Sequence, residues 1–136
     1  MEVKKIIKKL KRKYPGKTII ENKNDKGFTT EIICEIEPTL NHPKYSIAIA
    51  VIDSSTLHYH KKTTEIYKVL RGELTVFKKN KEYKIKRGDE LVIKPGEIHS
   101  NIGNETWVEC ISEPGWTVDD YINLETIIKK YTARKD

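Results

Sequence analysis

The chain has 136 residues, enough for one domain with a single core and too few for two. Hydrophobic residues make up 37% and charged residues 34%, which excludes a disordered chain, and the longest apolar run, Ile47 to Ile52, is far too short to span a bilayer. The net charge of +6 arises from 26 basic and 20 acidic residues, but 22 of the basic ones are lysines interspersed with 14 glutamates, and no cluster of basic and stacking aromatic residues marks a nucleic-acid surface.

Lysine, glutamate and isoleucine are abundant and glutamine is absent, a composition similar to that of heat-adapted proteins. The opening "MEVKKIIKKLKRKYPG" scatters charges among its apolar positions and does not read as a secretory signal, so a cytoplasmic location is expected. In the same stretch Val3, Ile6, Ile7, Leu10 and Tyr14 recur at helical spacing, with lysines opposite, until Pro15-Gly16 ends the pattern. The expectation is an amphipathic helix within residues 1–16 that packs its apolar stripe on the domain.

From residue 17 the period changes to two. "FTTEIICEIEP", "KYSIAIAVID", "EIYKVL", "ELTVFKK", "KEYKIK", "DELVIK" and "TWVECISEP" are short runs rich in β-branched and aromatic residues. Turn residues separate them, among them Arg71-Gly72, Arg87-Gly88-Asp89 and Pro95-Gly96. Strands at this spacing, without long intervening helices, predict an all-β antiparallel sandwich or barrel over residues 17–116. Cys34 and Cys110 stand alone, without a CxxC partner, and are expected to be reduced strand residues. At the end of the chain Ile122, Leu124, Ile127, Ile128 and Tyr131 return to roughly helical spacing before a basic last turn, which predicts a C-terminal helix over residues 117–136.

Chemistry concentrates in "STLHYHKKTTEIYKVLRG". Side chains alternate along a strand, so His58 and His60 point to one side and Tyr59 to the other. The polar Lys61 to Thr64 can turn the chain, and if Glu65 opens the next strand on the same face, a carboxylate joins the imidazoles, followed at alternate positions by Tyr67 and Val69. A third imidazole is available at His99, behind the Pro95-Gly96 turn, while His42 lies outside the pattern. Three imidazoles and a carboxylate suit one divalent transition metal ion, Fe, Mn, Ni, Zn, Co or Cu, and leave it a net positive charge.

The stretch "HYHKKTTEIYKVLRG" resembles the first motif of the cupin superfamily, with His58, His60, Glu65 and Gly72 in the matching places, and "GDELVIKPGEIH" resembles the second, with Gly88, Pro95, Gly96 and His99. The resemblance implies a double-stranded β-helix, or jelly-roll, barrel with a metal held by His58, His60, Glu65 and His99. Three positions depart from the pattern: Ile52 stands where the first motif usually opens with Gly, Gly103 where the second usually closes with Asn, and Lys94 where its proline usually sits. None of the three is a ligand position.

The resemblance allows isomerases and epimerases of sugars or sugar phosphates, dioxygenases, decarboxylases and non-catalytic sensors. The expectation is a metalloenzyme of the isomerase or epimerase type acting on a small oxygen-rich substrate, with a non-heme metal dioxygenase and a small-molecule-binding module as alternatives. Glu65, Tyr67 and Glu109 are the candidate catalytic residues. Tyr67, Ala48 and Ala50 are the candidate substrate contacts, since Ser46, Ala48 and Ala50 share one strand face and leave space if that face is interior; if Ile47, Ile49 and Val51 face inward instead, the barrel is plugged. Lys68, Arg71 and Lys94 lie within the motifs as possible anion contacts, although a solvated face also accounts for them. Small barrels leave sheet edges open, so a homodimer is expected, with a small-molecule ligand and neither nucleic acid nor membrane as partner.

Overall fold

The amphipathic stretch forms helix α1, Val3–Lys13, in the computed structural model of the chain, which describes residues 1–125. Lys11, Arg12 and Lys13 occupy its last turn, where cations suit the helix dipole, and Gly16, at φ +80°, takes a left-handed conformation beyond it. Its buried residues, Ile6 and Leu10, meet Ile32, Cys34, Ile49, Val51 and Trp107. The apolar stripe therefore packs on the sheet, as expected. Lys9 and Lys13 extend over the Trp107 ring, their Nζ atoms 5.5 and 5.7 Å from its centroid.

Among the described residues ten strands follow: β1 (Thr18–Lys23), β2 (Thr29–Glu37), β3 (Ser46–Ser54), β4 (His58–His60), β5 (Thr64–Arg71), β6 (Glu73–Lys78), β7 (Lys81–Lys86), β8 (Glu90–Ile93), β9 (His99–Glu113) and β10 (Tyr121–Asn123). All pairings are antiparallel, and the single sheet curls on itself because β9 takes part in both halves. Its Thr106–Ser112 stretch pairs with β3 and its Trp107–Glu113 stretch with β5, while His99–Ile102 pairs with β6 and His99 faces His58 of β4. The chain switches between halves around Gly103. A Cβ there would lie 2.6 Å from Thr106 Oγ1 and 2.7 Å from the Ile52 carbonyl oxygen, so only glycine fits. Two of the departures from the cupin pattern, Ile52 and Gly103, thus meet in space.

The interior core is built from Ala50, Ile52, Tyr67, Val69, Leu74, Val76, Ile85, Ile93 and Val108. On β3 the small-residue face is therefore the inner one, and Ile49 and Val51 turn outward beneath α1. Cys34 and Cys110 are free, Cys34 under the helix and Cys110 against the interior core.

The expected C-terminal helix is corrected over its first part. Val118–Asp120 is a 3-10 helical turn and Tyr121–Asn123 is strand β10, paired residue for residue with His60, Tyr59 and His58. The physical reason is that the short strand β4 has an open edge. Its backbone groups need partners that a helix cannot offer, and this demand overrides the local apolar spacing. Leu124 and Glu125 take helical backbone, and the remainder of that prediction, residues 126–136, lies outside the described residues.

Candidate metal centre

Strand β4 presents His58 and His60 on one face, as alternation requires, and both are buried. The turn that follows is organised by Asp120, whose carboxylate accepts hydrogen bonds from the backbone N–H groups of Lys62 at 2.8 Å and Thr63 at 3.1 Å. Thr63 Oγ1 also donates to the Pro114 carbonyl at 3.1 Å. The turn delivers Glu65 to the same interior face. The second histidine segment is tied in through Gly96, whose N–H donates to the His60 carbonyl at 2.8 Å, with Gly96 at φ +80°. Glu97 then accepts from the Lys94 N–H at 2.6 Å, pairs with Lys78 and Lys79 at 3.4 and 3.0 Å, and fixes the approach to His99.

One ligand atom from each of His58, His60, Glu65 and His99 lies within 4.8 Å of the others. His58 Nδ1 donates to the Thr56 carbonyl at 2.6 Å and His99 Nδ1 to the Glu97 carbonyl at 2.9 Å, so the Nε2 lone pairs of both rings are free to coordinate. Glu65 Oε1 sits 3.6 Å from both His60 Nε2 and His99 Nε2, too far for a hydrogen bond. These three atoms are buried without a hydrogen-bond partner. Buried polar atoms left this way are costly unless something satisfies them, and a divalent transition ion fits the donor set.

Protonation states agree with that role. Burial, reinforced by the charge of His99, pushes the His58 imidazole down to about 4, so it is neutral at physiological pH. Burial alone would raise the Glu65 carboxyl, but the contacts with His60 and His99 outweigh it and hold Glu65 far below the usual carboxylate range. Tyr121 stacks on His58 with ring centroids 4.8 Å apart and is held by Thr56 Oγ1 at 3.0 Å from its hydroxyl.

Three of these four residues, His58, His60 and Glu65, line a cavity of about 520 Å³. Tyr67, Ala48 and Ala50, expected as substrate contacts, line it too. The Tyr67 hydroxyl accepts from Asn101 Nδ2 at 3.2 Å, and burial raises its phenol well above the ordinary value. Glu109 lies elsewhere. It shares the outward face of β9 with Trp107 and stands opposite Lys68 of β5 and Ile49 of β3, away from the cavity lining. Lys68, Arg71 and Lys94 are likewise absent from that lining, and His42 pairs with Glu37 at 3.0 Å.

The reading of the sequence missed Glu31. It sits on β2, lines the cavity, and accepts a hydrogen bond from Asn22 Nδ2 at 3.0 Å. Burial pushes its carboxyl up to about 7; the Asn22 hydrogen bond opposes that shift and the charge of Glu65 adds to it. The signal was present in "EIICEIE", where glutamates alternate with apolar residues, but such a strand ordinarily turns its charges to solvent. Here α1 covers the apolar face, and the glutamates face the cavity.

Comparison with known proteins follows the same lines. Residues 47–111 match the family described as "Cupin domain". An uncharacterized protein of Methanocaldococcus jannaschii is 33% identical over 88 residues, 60% of this chain and 70% of that one. Among solved structures, Pac13, a Streptomyces nucleoside dehydratase, superposes with a TM-score of 0.69 at 10% identity, covering 81% of this chain and 86% of that one. A predicted oxalate decarboxylase of Thermotoga maritima gives 0.64 at 24% identity over 74% and 96% of the two chains. Ectoine synthase from P. lautus gives 0.57 at 19% identity over 66% and 68%.

Proposed function

The chain belongs to the cupin superfamily, and from that premise we propose that it is a metal-dependent enzyme that moves a proton on a small oxygen-rich substrate, such as a sugar or hydroxy acid, as an isomerase or epimerase does. The observation that carries this reading is the convergence of His58, His60, Glu65 and His99, three of their atoms buried without partners, beside a cavity lined by Glu31. A divalent transition ion held by those four residues would supply a Lewis acid for a carbonyl or hydroxyl oxygen.

The rest of the work belongs to the chain. Glu31, with its carboxyl near neutrality, is matched to taking a proton from carbon and returning it, since a general base works best with a pKa close to the working pH. Asn101 holds the Tyr67 hydroxyl so that the phenol can orient a substrate oxygen while staying protonated. Ala48 and Ala50 leave the room in which the substrate lies. As partners we propose this small molecule and a second copy of the chain, in the cytoplasm, where the free thiols of Cys34 and Cys110 stay reduced.

The test begins with metal analysis of protein purified without an affinity tag, for the wild type and for His60→Ala. The wild type should carry one divalent transition ion per chain and His60→Ala should lose it on dialysis, because the shell is incomplete. Metal-loaded protein is then incubated in deuterium oxide with a panel of aldoses, ketoses and hydroxy acids while oxygen is monitored. Deuterium should enter a carbon-bound position of the substrate without oxygen uptake. Metal-dependent oxygen uptake without exchange would establish a dioxygenase in its place.

A further inference from the structure

Trp116 is a residue that the fold fixes in place and leaves uncovered. Its N–H donates to Ser46 Oγ at 3.0 Å and its carbonyl accepts from Thr39 Oγ1 at 2.7 Å. Beside it the Gly115 N–H donates to the Pro43 carbonyl at 2.9 Å, and a Cβ at Gly115 would lie 2.5 Å from Thr39 Oγ1. Three hydrogen bonds and a close approach thus hold this backbone, yet Trp116 is 40% exposed. The chain's other tryptophan, Trp107, is buried beneath α1. An indole left in water forgoes the large stabilisation that its burial gives, and the clamped backbone keeps it in position for a partner.

The position of the ring says which partner. Trp116 lines the same cavity as His58, His60 and Glu65. Its ring centroid lies 6.2 Å from that of Tyr121, which stacks on His58 at 4.8 Å, so a series of three rings leads from the buried histidines to the mouth of the cavity. Ile20 and Val118, exposed apolar residues, belong to the same lining. The volume of about 520 Å³ is in the range of pockets that enclose drug-sized ligands, several times what a three-carbon hydroxy acid fills. A small molecule of oxygens alone would leave the indole in water. A planar ring gains both buried area and the stacking preference of π systems, and Trp116 and Tyr121, tilted at 54°, offer it more than one ring surface.

Resting on the metal-centred reading above, we propose that the molecule bound in this cavity carries an aromatic ring, stacked on the Trp116 indole and joined to the oxygen-bearing group that meets the histidine cluster. The substrate class is thus an aryl-substituted hydroxy acid or sugar.

Lactate and a set of longer 2-hydroxy acids test this. 3-Phenyllactate, 2-hydroxy-4-phenylbutanoate and 2-hydroxy-5-phenylpentanoate set a phenyl ring at increasing reach from the shared 2-hydroxycarboxylate, and 2-hydroxyoctanoate supplies an apolar chain without a ring. Each is titrated calorimetrically into nickel-loaded protein and into metal-free protein. At least one phenyl acid should bind the loaded protein about tenfold more tightly than lactate, the scale of an aromatic pair with the apolar area it buries, and more tightly than 2-hydroxyoctanoate. Trp116→Ala should bring that preference close to parity and Trp116→Phe should restore part of it, with nickel content unchanged in both, since the hydrogen bonds of residue 116 run through its backbone. The phenyl acid should also change the tryptophan emission of the wild type but not that of Trp116→Phe, where Trp107 alone remains. A phenyl preference that is absent from the wild type, matched by 2-hydroxyoctanoate or intact in Trp116→Ala overturns the inference, while nickel-dependent binding of lactate leaves the metal-centred reading standing. A change in molar mass on Trp116→Ala, read by light scattering, assigns the indole to a contact between copies and overturns it as well. Equal affinity of every acid with and without nickel overturns the metal-centred reading itself, and the inference falls with it.

Discussion

Glu31 occupies a place where its charge is costly, and that cost sets a pH dependence. Its carboxyl titrates near 7 in the folded chain against an ordinary 4.5, so between these values the native state binds more protons than the unfolded one. The associated stability is complete below pH 4.5 and is lost as pH rises through 7. Glu31→Gln keeps the acceptor for Asn22 and removes the charge. Its melting temperature should exceed that of the wild type at pH 8 and match it at pH 4, which thermal unfolding monitored by circular dichroism at the two pH values would check. Glu97 behaves in the opposite sense. Burial opposes its ionisation, but the Lys94 N–H and the two lysines outweigh it and draw its carboxyl down to about 2, so its contribution is present above pH 4.5 and lost as pH falls towards 2.

Two elements place the four candidate ligands without belonging to them. The 3-10 helical turn carries Asp120, which binds the backbone between His60 and Glu65, and strand β10 covers the open edge of β4. Asp120→Ala frees that turn, so metal affinity should fall about tenfold, as for other residues that orient ligands, with the far-ultraviolet spectrum unchanged. Competition against a chelating dye would measure it. Helix α1 acts on the other side of the sheet. Leu10 is fully buried there, and Leu10→Ala should cost about 2–5 kcal/mol through lost transfer energy and the cavity left behind. Urea unfolding gives the number, and metal content should not change, since the helix packs on the outer face.

At the scale of the whole molecule, the curl of the sheet puts one face inside and leaves the other for α1 or for solvent. On the solvent side of β6 and the first part of β9, Phe77 and Ile102 are exposed on a common face, with Ile98 at the matching register just before β9. An apolar patch of this kind suits association with a second copy. Multi-angle light scattering should give twice the 15.8 kDa chain mass, and Phe77→Glu together with Ile102→Glu should return the monomer. A single species of 15.8 kDa for the wild type at all concentrations would dismiss the dimer.

The sequence by itself determined the four residues of the candidate metal site and most of the strands. HxH spacing places His58 and His60 on one face whatever the surroundings, and Glu65 and His99 follow at motif positions. Strands β2, β3 and β5 to β8 carry their own alternation or β-branched content, and α1 its own stripe. Tertiary structure decided the rest because the deciding forces act between segments distant in the chain. Local pattern could not say which face of β3 is interior; α1 settles it by covering Ile49 and Val51, which leaves Ala48 and Ala50 to the cavity. The same packing turns Glu31 and Glu35 inward, against the habit of charged strand residues. Pairing between distant segments also makes Tyr121–Asn123 a strand: its apolar spacing favours a helix, but the unpaired backbone of β4 offers hydrogen bonds that only an extended partner can complete.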